Sequence, residues 1–277
     1  VKNAGDADSV VVVRSVRQRW DESMREWRPP SDVIDVQAMG DYMALTALWR
    51  GVLVPDWRAT RFIYDGDARQ FVPLGSGLVH AREMDLPTQL YNDPAIQRSH
   101  ARALQKYGAV TYLDGLMLSD LEALNLALGN DVVEGGVMGY LRDNQARMRA
   151  AIASPQTVRV WQSFRGDYLM LDIETLSPFP VELLGLRFGD EGYLTFVHDW
   201  LLTDDGVIAA DEDQVVLRAR LSDRPESVVV RVPRVEMPYV GPSEGTAFHL
   251  VTRVWGLDTQ FVVPIRRRPA GLGDGDS

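Results

Sequence analysis

Cysteine is absent from the 277-residue chain. Its absence excludes disulfides, zinc–thiolate sites, iron–sulfur clusters and cysteine nucleophiles. Long apolar runs are also absent: no run is longer than that of Val10–Val13, which has the length of a strand, whereas a membrane helix needs about 20 apolar residues. The chain carries no Walker motif, no GxGxxG and no HExxH. The sequence therefore contains neither a common phosphate-binding loop nor the zinc-binding helix of a metalloprotease.

The charge balance is acidic, with 39 acidic and 29 basic side chains and a net charge of -10. Because an acidic surface repels phosphate backbones, the composition predicts that the protein does not bind nucleic acid. The first residue is Val1 rather than methionine. We therefore expect the chain to be part of a longer protein.

The hydrophobic period changes near Pro155, and this change predicts the domain organisation. A mostly helical region is predicted over 1–155, a β domain over 156–268 and a disordered tail over 269–277. The elements predicted in the first region are a strand at Val10–Val13, helices over Val16–Trp27, Val33–Arg50, Asn92–Tyr107, Leu113–Leu128 and Val137–Ile152, and a hairpin joining Arg61–Tyr64 to Gln70–Leu74.

The β region shows strict alternation of apolar and polar residues. Leu169, Leu171 and Ile173 alternate with polar or amphipathic neighbours, and turn-forming residues separate this segment from similar ones. About eight or nine short strands fill this region. Short strands at this spacing are typical of an antiparallel β-sandwich, which is the architecture that we predict.

Two groups of short segments occur in a fixed order along the chain. The first is Asp41–Leu48, Trp57–Asp65 and Gln70–Leu74, and the second is Leu141–Gln145, Ile152–Pro155 and Pro180–Leu186. Together they resemble the spore-coat-protein-H-like (CotH-like) family over roughly Asp32–Arg187. The resemblance implies the C-terminal lobe of an atypical kinase fold, without its N-terminal lobe. It also implies a full-length protein that transfers phosphate from ATP with Mg²⁺.

The metal-binding positions that the resemblance implies are degenerate in this chain. The family's His-Asn pair falls on Arg58-Ala59, and alanine has no oxygen to offer a metal. The family's aspartate after the hairpin falls within Val72–Gly77, which contains no carboxylate. We therefore expect neither kinase activity nor a bound cofactor in this chain. ATP and Mg²⁺ would act only in an active full-length parent.

A small set of polar residues flanks the implied active site and could replace the missing ligands. The candidates for nucleotide or catalytic contacts are Asp56, Arg58, Arg61 and His80, and the candidates for metal binding are Asp65 and Asp67. Arginine can bind phosphate without a metal, and Asp56 could accept a hydroxyl proton. The alternative interpretation is that these are solvated or ion-paired residues around a turn.

Three functions remain open from the sequence. The leading one is a non-catalytic kinase-like module coupled to a β domain, which binds a protein partner as an assembly component of the bacterial cell envelope. This location follows from the resemblance alone. The second is a CotH-like phosphotransferase in the full-length parent. The third is carbohydrate binding, in which Trp161, Trp200 and Trp255 would stack on sugar rings.

Overall fold

The computed structural model describes residues 18–22, 28–51, 60–74, 90, 93–116, 136–188, 192–202, 206–209, 214–220, 227–237 and 248–267. The chain divides into two compact units, Val1–Ala150 and Ala151–Ser277. The predicted strand at Val10–Val13 and the predicted tail from Pro269 lie outside the described residues.

The first unit combines helices with one hairpin. Its named elements are α1 (Val36–Arg50), β1 (Arg61–Asp65), β2 (Gln70–Leu74), α2 (Pro94–Gly108) and α3 (Gly136–Ala153), whose last turn belongs to the second unit. Residues 18–22 and 110–116 are also helical. Two helices begin at an aspartate whose carboxylate accepts backbone amides: Asp35 caps α1, and Asp93 caps α2 ahead of Pro94.

The hairpin is fixed to the chain that leads into α1. Ile34 pairs with Phe71 of β2 as an isolated parallel bridge, and the amide of Asp35 donates to the carbonyl of Phe71. The Trp20 ring lies 4.7 Å from the ring of Phe62 and 4.9 Å from that of Phe71. These ring contacts add an apolar anchor for the hairpin, in which Phe71 is buried and the other two rings are partly exposed.

The second unit is one mixed sheet. In chain order its strands are β3 (Val158–Arg165), β4 (Tyr168–Thr175), β5 (Val181–Phe188), β6 (Gly192–Thr195), β7 (Val207–Ala209), β8 (Val215–Leu217), β9 (Ser227–Pro233), β10 (Phe248–Val254) and β11 (Gln260–Arg267). Their order in the sheet is β7-β8-β5-β10-β11-β3-β4-β9, and β6 also pairs with β5. All these pairs are antiparallel except β11 with β3.

One stretch of chain links strand β5 to the end strand β9 across the curled sheet. The stretch 192–202 starts as β6 beside β5 and ends beside β9, where Leu201 bridges Val230 and the amide of Leu202 donates to the carbonyl of Val229. Phe196 and Trp200 lie between these two contacts and are buried. The interior is therefore closed around one apolar core, whose buried members include Val160, Leu169, Leu171, Ile173, Leu186, Phe196, Trp200, Val230 and Leu250.

The fold class predicted from the sequence is wrong. The prediction was a mainly helical kinase-like lobe followed by an antiparallel β-sandwich, whereas the described part of the chain is rich in sheet. Nine of its strands form a single curled sheet with a parallel pair. A period of two identifies which residues face the core, but it is the same in a sandwich layer and in a curled sheet. Strand partners depend on long-range contacts that the period does not contain.

Candidate binding surface

The two aspartates proposed as metal ligands lie in the β1–β2 turn. Both are exposed, and Oδ1 of Asp65 accepts the backbone amides of Asp67 at 2.9 Å and Ala68 at 3.1 Å. This oxygen thus stabilises its own turn, as aspartate commonly does. In the part of the chain that the structure describes, no three His, Cys, Asp or Glu side chains come together as a metal site.

The remaining nucleotide-site candidates are only partly placed. Arg61 opens β1 opposite Leu74, but its side chain lies outside the described set, as do Asp56, Arg58 and His80. Their proposed contacts with a nucleotide stay predictions.

The motif Leu141–Gln145 lies on α3, and its side chains hold the ends of two other helices. Nδ2 of Asn144 donates to the carbonyl of Leu48 at 2.9 Å, near the end of α1. Nε2 of Gln145 donates to the carbonyls of Tyr107 at 3.2 Å and Ala109 at 2.6 Å, and Arg149 donates to that of Gly108 at 2.8 Å. One helix therefore supplies partners for the free terminal carbonyls of two others. Hydrogen bonds and burial account for these positions without any catalytic role.

The motif Pro180–Leu186 contributes one side chain to a buried ion pair. Glu182 of β5 accepts two hydrogen bonds from the guanidinium of Arg253 on β10, at 2.6 and 2.9 Å. The Glu182 side chain is only 4% exposed. Hydrogen bonding to this carboxylate raises the pKa of Arg253 further above its usual value. Such fork-to-fork geometry fixes the register of two neighbouring strands.

Within the same motif, Gly185 gives room to a tyrosine. A Cβ atom at Gly185 would lie 2.5 Å from Cζ of Tyr193 and 2.6 Å from the carbonyl oxygen of Leu194. The Tyr193 ring therefore crosses a position where only glycine fits. The Glu182–Arg253 ion pair and the close approach at Gly185 both give the motif Pro180–Leu186 a structural role.

The tryptophans proposed for sugar stacking do not form an exposed platform. Trp200 and Trp255 are 3% and 4% exposed. Trp161 is partly exposed, and the guanidinium of Arg159 lies over its ring at 5.6 Å. Stacking on a sugar needs open ring faces, which the two buried rings lack.

His100 on α2 is a buried neutral group. It is completely buried, and the resulting desolvation lowers its pKa to about 3. The imidazole is consequently uncharged at neutral pH. It belongs to the interior of the first unit.

The outer face of the curled sheet carries apolar side chains where polar ones are usual. Because Val160, Leu171 and Val230 face the core, their strand neighbours face outward. Register places Trp161 beside Asp172, Asp172 beside Val229, and Met170 beside Arg231. We define the arginine–aromatic face as Trp161, Tyr168, Met170, Val229, Arg231 and Arg266. All six residues are partly or fully exposed.

One arginine of this face is stacked on an aromatic ring. The guanidinium of Arg231 lies over the ring of Tyr168 at 4.6 Å, and Arg266 is the register partner of Trp161. Neither arginine forms an ion pair within the described residues, whereas Arg159 contacts Glu174 at 3.2 Å. Stacking holds a guanidinium on a ring while its N–H groups stay available to an acceptor. The face therefore offers guanidinium donors beside apolar side chains, with the carboxylate of Asp172 between Trp161 and Val229.

Sequence reasoning missed this face, although a signal was present. An antiparallel strand with one solvated side is expected to be polar there, and Tyr168, Met170 and Val229 depart from that rule.

Sequence reasoning also missed the segment Gly241–Gly245, which matches the pattern GxSxG. That segment lies outside the described residues and precedes strand β10, whereas a nucleophile elbow precedes a helix.

Comparison with known proteins adds no assignment. No protein-family model matches the chain. No curated protein matches it significantly. Among the described residues, no helix is both long enough and apolar enough to cross a membrane.

Proposed function

We propose that the protein is a non-catalytic binding module that contacts a protein partner through the arginine–aromatic face. The observation that carries the proposal is the combination of partly exposed apolar side chains with two exposed arginines that lack a carboxylate partner among the described residues. Aromatic residues, methionine and arginine are enriched at protein interfaces. The rigid sheet beneath them would hold these side chains in place for a partner.

A role as an assembly component of the cell envelope extends this proposal. It rests on the resemblance to CotH-like proteins that the sequence motifs carry. Phosphotransfer in the full-length parent is the second candidate, and the hairpin gives it little support because Oδ1 of Asp65 is used by its own turn.

Affinity capture with matched variants tests the proposal. The full-length protein is compared with a Tyr168→Ala/Met170→Ala double variant and with Arg187→Ala, an exposed arginine on β5 outside the face. A protein captured from envelope extracts is then purified, and its affinity is measured for each form. We expect a loss of at least tenfold for the double variant and none for Arg187→Ala. Equal affinity for all three forms would refute the proposal.

A further inference from the structure

We infer that the arginine–aromatic face binds a second copy of this chain, with Arg231 of each copy paired to Asp172 of the other. This inference rests on the proposed function and adds the identity of the partner. Its basis is that the face carries charges of both signs around an apolar centre, in an arrangement that is complementary to itself. Complementary charges give an interface its specificity, and a self-complementary face forms a two-fold dimer.

Strand register places four outward-facing residues at the corners of a parallelogram. Met170 lies beside Arg231, and Asp172 lies beside Val229, on the adjacent strands β4 and β9. The two charged residues therefore occupy one diagonal, and the two apolar residues occupy the other. At the usual strand dimensions each diagonal is about 8 Å long.

A two-fold axis along the Met170–Val229 diagonal brings opposite charges together. Such an axis lies in the plane of the face, and rotation about it exchanges the two ends of the charged diagonal. Arg231 of one copy then lies opposite Asp172 of the partner subunit, and the reciprocal pair forms on the other side of the axis. Met170 and Val229 lie on the axis and pack against their counterparts. One rotation therefore forms two ion pairs and covers the apolar centre.

Contacts within each chain leave both charged groups able to pair in this way. The guanidinium of Arg231 lies 4.6 Å from the ring centre of Tyr168, and stacking leaves its N–H groups available. The carboxylate of Asp172 can accept several hydrogen bonds, so contacts in its own chain do not prevent another. Glu174, the next carboxylate on this side of β4, lies 3.2 Å from Arg159 and already has a basic partner. Asp172 is therefore the carboxylate placed for Arg231 of a second copy.

The size of the face predicts a weak dimer. It spans about 14 Å along the strands and about 14 Å across them, which is an area of about 200 Å². A stable interface buries about 800 Å² on each partner. The net charge of -10 on each copy also opposes association. We therefore expect a reversible dimer that forms at high micromolar concentrations.

Charge-swap variants of the full chain, measured by analytical ultracentrifugation, test this inference. Arg231→Asp brings two carboxylates together at each pair and Asp172→Arg brings two guanidinium groups together, so each variant alone should stay monomeric. An equal mixture of the two variants restores opposite charges at both pairs and should dimerise. The control is Arg187→Asp, at an exposed position on β5 outside the face. Salt at about 0.15 M limits the repulsion between the net charges to a range of about 8 Å.

We expect Arg187→Asp to dimerise within twofold of the wild-type affinity. Each charge-swap variant should bind itself at least tenfold more weakly, and the equal mixture should recover at least a third of the wild-type affinity. Thermal unfolding of each variant confirms that it is folded. A monomeric wild type, equal dimerisation of all variants, or a mixture that stays monomeric would overturn the inference.

Crosslinking at the axis provides a second measurement, which does not depend on charge. The chain has no cysteine, so a thiol at Met170→Cys is the only site at which bismaleimidoethane can join two copies. Because residue 170 lies on the axis, we expect a covalent dimer from Met170→Cys and none from Arg187→Cys. Equal yields from the two variants would contradict the proposed axis.

The two proposals fail in different ways. If wild type stays monomeric while capture of a different protein still depends on Tyr168 and Met170, the second copy is wrong and the binding surface stands. If neither self-association nor capture of a partner depends on the face, both proposals are wrong.

Discussion

The side-chain amide of Asn144 donates to the carbonyl oxygen of Leu48, 96 residues earlier in the chain, at 2.9 Å. Asn144 is 1% exposed, and it lies over Gly51, the left-handed residue that ends α1 with φ of 69°. A Cβ atom at Gly51 would approach Oδ1 of Asn144 to 2.8 Å. A residue of the resembling motif thus joins the end of α1 to α3, which makes it a folding determinant.

Replacing Asn144 should destabilise the first unit. Asn144→Ala leaves the buried carbonyl of Leu48 without this donor, and an unsatisfied buried group costs about 1–3 kcal/mol. Urea unfolding measures the loss. The control is Arg142→Ala on the same helix, whose 3.6 Å contact with Asp114 is exposed and whose loss should cost less than about 1 kcal/mol. Equal losses in both variants would contradict this role of Asn144.

A methyl group at Gly185 should be poorly tolerated. It would collide with Tyr193 and with the backbone of Leu194, so Gly185→Ala should cost about 1–3 kcal/mol of stability. Gly139→Ala provides the contrast because no atom lies within 4 Å of its Cβ position on α3. We expect that change to stabilise the protein by about 0.5–1 kcal/mol through helix propensity. Denaturant unfolding of both variants checks the opposite signs.

Removing one partner of the Glu182–Arg253 pair should lower the free energy of unfolding more than replacing both partners does. Arg253→Met leaves the buried carboxylate unpaired and should cost about 3 kcal/mol or more. The double variant Glu182→Met/Arg253→Met removes both charges and should recover much of that loss. Arg159→Met, which breaks the more exposed pair with Glu174, should cost less than about 1 kcal/mol. A double variant as unstable as Arg253→Met would contradict this account.

Acid should destabilise the first unit through His100. Its pKa is about 3 in the folded protein, against the ordinary histidine value of 6.5, so below pH 6.5 the unfolded chain binds more protons. The stability that His100 contributes is full above pH 6.5 and falls as the pH falls toward 3. Between pH 7 and 5, wild type should lose about 2 kcal/mol more than His100→Gln.

Urea unfolding at several pH values measures this difference. The exposed His198 provides the control variant, His198→Gln. Parallel stability curves for wild type and His100→Gln would show that burial of His100 does not couple folding to pH.

The sequence predicted local helices and the hairpin, but it did not predict how the strands pair with one another. The caps Asp93 and Pro94, the period of α1 and the Asp-Gly turn each act within a few residues, and the structure confirms α1, α2 and the β1–β2 hairpin. The parallel pairing of β11 with β3 joins segments about one hundred residues apart, so no local pattern encodes it. The arginine–aromatic face arises from strands β3, β4, β9 and β11 and exists only once their register is known.

Site-specific photocrosslinking tests the central claim most directly. Benzoylphenylalanine replaces Met170 in the full-length protein within the cells that make it, and a matched protein carries it at Arg187. The account predicts a discrete adduct with another protein from position 170 and none from position 187. The same adducts from both positions, or none from position 170, would contradict the claim that this face binds a protein partner.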